Sequence, residues 1–352
     1  MLGCNYEGFP TFYDIFDFSC YGCGMKIRRI MTIMFLLFMM PYCLSACKSG
    51  VEMEMSDNVQ QLYKLPSNYQ EHRSQQQLFG EKGHQIAYTD HGSGPVLVLL
   101  HGVPTSSWKY RKIIPELQKD RRVITIDFLG FGSSDKPKDD GEIYTPIENA
   151  KRIQALLSYL KIDEYALLMH DMGGLVAWEL MRENHQSISH VVVLNTIIHK
   201  EGFYPPNIKP GIVSRQLMTA YSNEITSTTI LEKTFSALGL VNEHKLNENE
   251  CFGYVAPLHE GSDQALYAFF TNINDDLFER LDQNQTALSG FKGKTLVLWG
   301  EKDETLTTKQ IPILQKTLNI PQENIHIYPE NNHFLVEEIP EEIVLKVNEF
   351  LQ

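Results

Sequence analysis

Cysteine is nearly missing from the part of this chain that can fold. Of six cysteines in 352 residues, Cys4, Cys20, Cys23, Cys43 and Cys47 fall in the first 47, and only Cys251 follows. One cysteine cannot staple a fold, and no Cys/His spacing near it matches zinc, so neither a disulfide framework nor a metal is expected. Basic residues are also scarce: 31 Lys and Arg stand against 44 Asp and Glu, a formal charge of −13. That balance repels phosphates, and with no Lys/Arg stripe to offset it the sequence excludes a nucleic-acid partner. No apolar run reaches the roughly 20 residues that a spanning helix needs. The three-glycine dinucleotide fingerprint is missing too, because Gly130-Phe131-Gly132-Ser133-Ser134 lacks it in a strand–turn–helix context, and no cofactor is called for. What the chain does hold is apolar side chain. At 43% of residues it supplies a large core and rules out a disordered acidic tail.

The first apolar run is not part of that core. Lys26, Arg28 and Arg29 form a basic head, followed by an apolar stretch from Ile30 to Leu44 and then small residues. This is the layout of a secretion signal. Its last four letters, Leu44-Ser45-Ala46-Cys47, resemble the lipobox of bacterial lipoprotein signal peptides. The resemblance implies a signal segment over 1–46, lipidation at Cys47, and an anchor in the membrane of a bacterial cell envelope on its periplasmic or extracytoplasmic side. Met25, just ahead of the basic head, is then the expected start. Residues 47–73 are polar without sustained periodicity and read as a lipid-attached tether. An uncleaved membrane anchor is the alternative.

From residue 80 onward the pattern is regular. His84–Asp90 alternates like a strand, and Pro95–Leu100, Arg122–Phe128, Ala166–Met169, Val191–Leu194, Thr295–Trp299 and Ile325–Tyr328 are short apolar runs. Helical stretches at Trp108–Gln118, Ile147–Leu160, Gly174–Asn184 and Pro340–Leu351 alternate with them. Such alternation predicts an α/β fold, a doubly wound and mostly parallel sheet with its chemistry at the carboxyl ends of the strands. Roughly a hundred residues separate the runs at 191 and 295, far more than an ordinary connection. They carry helical patterns at 213–221, 229–238 and 263–281. The expected organisation is therefore a core of 74–196 and 291–352 with a helical cap inserted over 197–290. A separate second domain is the alternative.

The chemistry concentrates in Leu167-Leu168-Met169-His170-Asp171-Met172-Gly173-Gly174. A residue on a sharp strand-to-helix turn of this kind projects its side chain above the sheet in strained backbone geometry. Serine would make a serine-hydrolase elbow; here the position holds Asp171. A carboxylate is ionised near neutrality and attacks carbon without first losing a proton. At an sp³ carbon bearing a leaving group it forms an alkyl ester that water can then hydrolyse. Asp303 follows the run at 295 and His333 follows the run at 325, so both are expected at the same sheet edge, in the order nucleophile, acid, histidine. Glu301 competes for the acid role, and Asn195 is placed to orient groups without carrying charge. His101-Gly102-Val103-Pro104 follows the run at 95, and the N–H groups of Val103 and Met172 could form an anion hole. Glu337, Glu338, Glu341 and Glu342 read as a solvated face.

HGVPTSSW (101–108), DFLGFGSSDKP (127–137), HDMGG (170–174) and WGEKD (299–303), with His333, resemble the α/β-hydrolase superfamily, in the branch of epoxide hydrolases and haloalkane dehalogenases. The phrasing is also similar to the mesoderm-specific transcript protein group. The resemblance covers roughly residues 75–352 and implies Asp171 as nucleophile, Asp303 as acid, His333 as base, and the amides of Val103 and Met172 as oxyanion hole. Dehalogenases of this branch hold the halide with a tryptophan directly after the nucleophile, often with an asparagine in the HG-x-P loop. Met172 and Val103 occupy those places. Epoxide hydrolases use cap tyrosines to protonate the opening ring, and Tyr204, Tyr221, Tyr254 and Tyr267 lie in the insertion. With His101 they are the candidate substrate-binding residues. The expected activity is epoxide opening to a diol, on a small apolar substrate carrying an electrophilic carbon, with water as co-substrate. Carbon–halogen hydrolysis is the alternative, and an idle ligand-binding protein of the same fold is a third.

Overall fold

The computed structural model describes residues 66–81, 83–138, 142–204 and 246–352, all within the unit Leu65–Gln352. The signal segment, Cys47, most of the tether, the helical patterns at 213–221 and 229–238, and Tyr221 lie outside the described residues. Among the described residues no helix is long and apolar enough to cross a membrane.

Eight strands form one sheet: β1 (Gln77–Glu81), β2 (His84–Gly92), β3 (Val96–Leu100), β4 (Arg122–Ile126), β5 (Tyr165–Asp171), β6 (Ile188–Thr196), β7 (Lys294–Gly300) and β8 (Ile325–Tyr328), in the order β1-β2-β4-β3-β5-β6-β7-β8. β2 pairs antiparallel with β1 and β4, and every other pair is parallel. The continuous apolar runs have a direct cause. Val98 and Leu100 of β3, Leu167 and Met169 of β5 and Val191 and Val193 of β6 enter one core cluster. The residues between them, Leu97, Leu99, Leu168, Val192 and Leu194, enter the other. A strand buried on both faces has no position left for a polar side chain.

Two layers of helix cover the sheet. α2 (Pro146–Tyr159) starts at Thr145, whose hydroxyl caps the Glu148 N–H, with Pro146 in the first turn where its missing N–H costs nothing. α2 buries Ile153, Leu156 and Leu157 in the first cluster beside α3 (Met172–Asn184). α8 (Pro340–Phe350) buries Ile343 and Val347 in the second.

Some elements depart from the expectation. The last residues of the presumed tether form α1 (Ser67–Ser74), because Tyr69 and His72 share one face and both bury against Trp108, with ring centroids 5.3 Å away in each case. So short a helix survives through that contact rather than through its propensity. The edge strand β1 went unread for want of an apolar run. The stretch 108–118 holds only a tight turn at Ser107–Tyr110 and a single helical turn at Ile114–Leu117. In the insertion, α4 (Glu248–Pro257) opens with a reciprocal cap between Asn247 and Glu250. The single helix expected over 263–281 is split into α5 (Asp263–Thr271) and α6 (Asp275–Asp282) by Asn274, whose side chain caps the Leu277 N–H at 3.0 Å. A further helix, α7 (Gln310–Leu318), covers the sheet after β7.

Candidate active site

Asp171 ends β5 with φ 54° and ψ −125°, a backbone state rare for a residue with a side chain. The turn forms because the chain passing it is bare: a Cβ on Gly102 would overlap the Asp171 side chain, and one on Gly173 would overlap the Leu100 carbonyl. The Thr196 hydroxyl donates to the Asp171 carbonyl at 2.5 Å and holds the elbow from β6. The Val103 N–H donates to Asp171 Oδ1 at 2.8 Å. One carboxylate oxygen is thus held, and Oδ2 is left for chemistry. Met172, buried, supplies the first residue of α3.

His333 follows β8, with its Nε2 3.6 Å from Asp171 Oδ2 and its Nδ1 2.6 Å from Asp303 Oδ2. Asp303 also accepts the Thr305 and Leu306 N–H groups at 2.9 Å each and the Asn195 amide at 2.8 Å. Asn195 is itself fixed by the Gly300 N–H, 2.9 Å from its Oδ1. A carboxylate so supplied with donors is an acceptor for Nδ1–H of His333, which leaves the Nε2 lone pair facing Asp171. Asp171, Asp303, His333 and Val103, widely separated in sequence, therefore meet as expected. Asn195 orients Asp303, and Glu301 is exposed and outside the set.

Other expectations need correction. His101 is fully buried: its Nδ1 donates to the Gly102 carbonyl at 2.8 Å and its Nε2 accepts the Phe128 N–H at 3.0 Å. Burial pushes its pKa down to about 4, so the ring is neutral and holds the Gly102–Val103 loop instead of touching substrate. Tyr254 is buried with its hydroxyl donated to Glu337. Tyr204 lies 51% exposed with its hydroxyl accepting from Lys309 at 3.1 Å. Both hydroxyls are engaged away from Asp171. Tyr267 is partly buried against the cluster that contains Phe334 and also receives Val103.

The four glutamates are not one solvated face either. Glu337 and Glu338 are buried. Glu337 accepts from Arg111 at 2.9 Å and pairs with Lys112 at 3.0 Å, while the same two cations reach Glu250 of the cap at 3.0 and 2.9 Å. Glu338 accepts the Asn332 N–H at 2.9 Å, one residue before His333. Lys109 and His170 were also missed. The signal for Lys109 was a lysine flanked by Trp108 and Tyr110.

All three tryptophan indoles are committed to backbone carbonyls: Trp108 to Glu250 at 2.9 Å, Trp178 to Ile197 at 2.7 Å and Trp299 to Leu306 at 3.0 Å. None is left to hold a halide.

The family model of the alpha/beta hydrolase fold matches residues 95–340, and the chain belongs to that family and is an enzyme of it. Within it the relatives include epoxide hydrolases and haloalkane dehalogenases. The chain is 24% identical over 286 residues to the cis-3-alkyl-4-alkyloxetan-2-one decarboxylase of Shewanella oneidensis, covering 78% of this chain and 87% of the relative. It is 28% identical over 271 residues to haloalkane dehalogenase 2 of Mycobacterium bovis, covering 75% and 91%. Among solved structures, the epoxide hydrolase CorEH without ligand superposes with a TM-score of 0.65 at 22% identity, over 78% of this chain and 98% of that one, a likeness in fold.

Proposed function

We propose that this enzyme opens epoxides to diols through an ester on Asp171. The observation that carries the reading is the Asp171 carboxylate itself, held by the Val103 N–H on one oxygen and facing His333 Nε2 at 3.6 Å with the other. Oδ2 attacks a ring carbon, the ring C–O bond breaks, and the oxygen leaves as an alkoxide that takes a proton from a cap hydroxyl. Tyr267, a cap tyrosine packed against the core cluster that contains Phe334, is the donor we assign. His333 then removes a proton from water, whose oxygen attacks the ester carbonyl. The resulting oxyanion receives the N–H groups of Val103 and Met172, its collapse expels the diol oxygen, which takes the carboxyl proton and leaves the Asp171 carboxylate, and the proton on His333 returns to the tyrosinate.

A leaving oxygen suits this site better than a halide, because Met172 and Val103 offer no side-chain N–H and the indoles are spent. The relatives' names widen the substrate class to strained oxygen rings in general, since an oxetan-2-one also carries an electrophilic sp³ carbon. His333→Gln should trap the ester. With a panel of epoxides, oxetan-2-ones and haloalkanes, intact-mass analysis is expected to find the adduct on the peptide of Asp171, most with epoxides. No adduct across the panel would falsify the nucleophile. An adduct with haloalkanes alone moves the assignment to the dehalogenases.

We also infer lipid attachment at Cys47, on the strength of the basic head, the apolar run and Leu44-Ser45-Ala46-Cys47. Metabolic palmitate labelling of the wild type, lost in Cys47→Ser, is the expected result. Equal labelling of both, or of neither, refutes it.

A further inference from the structure

Lys109 is fully buried in the turn Ser107–Tyr110, where a lysine is seldom found without a carboxylate partner. Its nearest polar contact is instead a histidine: Nζ donates to Nδ1 of His170, and the ammonium lies 4.7 Å from the centre of the Phe334 ring and 5.7 Å from that of Tyr110. His170 directly precedes Asp171. Its Nε2 donates to the backbone carbonyl of His333 at 2.9 Å, and the two imidazole centroids are 4.3 Å apart. The carbonyl can only accept, so the His170 proton sits on Nε2, and Nδ1 presents a lone pair that Lys109 satisfies. The line runs from lysine to His170 to the main chain of the base.

We propose that Lys109 is a positioning residue for His333, acting through His170. The proposal rests on the reading of Asp171 as nucleophile and His333 as base. Without a donor at Nδ1, the buried His170 ring is free to exchange tautomer or turn. Either change removes the bond to the His333 carbonyl, and with it one restraint on the Nε2-to-Asp171 geometry that ester hydrolysis needs. Lys109 also carries charge. The groups facing it are His101 after β3, His170 and Asp171 of β5, Glu337 of the turn 335–338 and Tyr110 of its own turn. Burial lowers its pKa to about 7, against the pull of Asp171 and Glu337, while His170 stays neutral because burial holds it well below the usual histidine range.

Three variants of the full chain test this: Lys109→Met, which removes the donor, Lys109→Gln, which restores a neutral N–H, and His170→Asn, which cuts the line in its middle. Single-turnover kinetics with a reactive epoxide separate ester formation from ester hydrolysis. In Lys109→Met and His170→Asn, formation should stay within about twofold while hydrolysis slows about tenfold or more, as expected for a misplaced base. Lys109→Gln should recover most of the loss. Histidine ¹⁵N spectra supply an arm independent of turnover. The wild type and Lys109→Gln should show His170 as the single Nε2–H tautomer, and Lys109→Met should show that tautomer mixed or lost. Equal slowing of both steps marks a merely structural lysine and overturns the proposal, as does wild-type hydrolysis in Lys109→Met. If the wild type forms no ester, the reading of Asp171 fails, and the spectra still decide the link. An unchanged His170 tautomer in Lys109→Met then rejects it.

Discussion

The sheet edge and the cap above it assemble their polar groups by opposite rules. At the sheet edge, Asp171, Asp303, Asn195 and the Val103 N–H each terminate or closely follow a buried parallel strand, His333 follows the outermost strand β8, and they point at one another. In the described cap, apart from the donor proposed at Tyr267, the polar side chains of Tyr254, Glu250 and Arg280 fasten helices. Tyr254 and Glu250 meet Arg111, Lys112 and Glu337 of the core, and Arg280 pairs with Glu179 of α3. The edge is rigid because each group is over-determined by hydrogen bonds, while the cap is joined to it by ion pairs around a few buried carboxylates. Chemistry and attachment are therefore separable, and substitutions should divide along that line.

The largest effect should come from Asp171→Ala, which removes the proposed nucleophile. Turnover of an epoxide should fall by about 10⁴-fold or more, with no adduct by mass. Retention of activity would mean that a water attacks directly and that the edge is not organised around Asp171. Asp303→Asn should slow ester hydrolysis about 10²- to 10⁴-fold by turning His333 to the wrong tautomer, and rapid-quench measurements should find ester formation little changed.

At the joint between the regions the loss should be in stability instead. Glu337→Gln leaves Arg111 and Lys112 short of a buried carboxylate and should cost about 3 kcal/mol in denaturant unfolding, with the turnover of the folded fraction kept. A chemical defect without a stability loss would place Glu337 with the edge.

The buried histidines add a pH term. His101 has a folded pKa of about 4, below its ordinary value near 6.5, so between those limits the unfolded chain binds a proton that the folded one does not. Stability should fall as pH drops through that window, and His101→Asn should flatten the slope by about 1.4 kcal/mol per pH unit. Unfolding curves at intervals from pH 7 to 4.5 measure it, and an unchanged slope would show that other groups carry the acid sensitivity. The smallest effect is expected on the outer face of the cap, where Tyr204→Phe should leave turnover within about twofold. A larger loss would return Tyr204 to the site.

The legible part of the site was the part borne on apolar runs. A run of Val and Leu buried on both faces has to be a central strand, and the polar residue that ends it has to emerge at the sheet edge, so Asp171, Asn195 and Asp303 could be read in order, and His333 from its place after the last strand of the alternation. Glu337 and Glu338 could not. Four acids near a C-terminal helix look solvated until Arg111 and Lys112, more than two hundred residues earlier, are found against one of them. Tyr254 misled for the same reason: a hydroxyl has no direction in a sequence, and here it turns to Glu337. Lys109 lay hidden because its partner is a histidine across the sheet rather than an acid nearby.

The sequence by itself determined the sheet, the elbow and the aspartate that the elbow carries, because strand burial and a strand-to-helix turn are local consequences of residue type. Only the tertiary structure decided where the other polar side chains point. Burying each one demands a partner, and the partners come from elements far apart in the chain, which alternating hydrophobicity does not record.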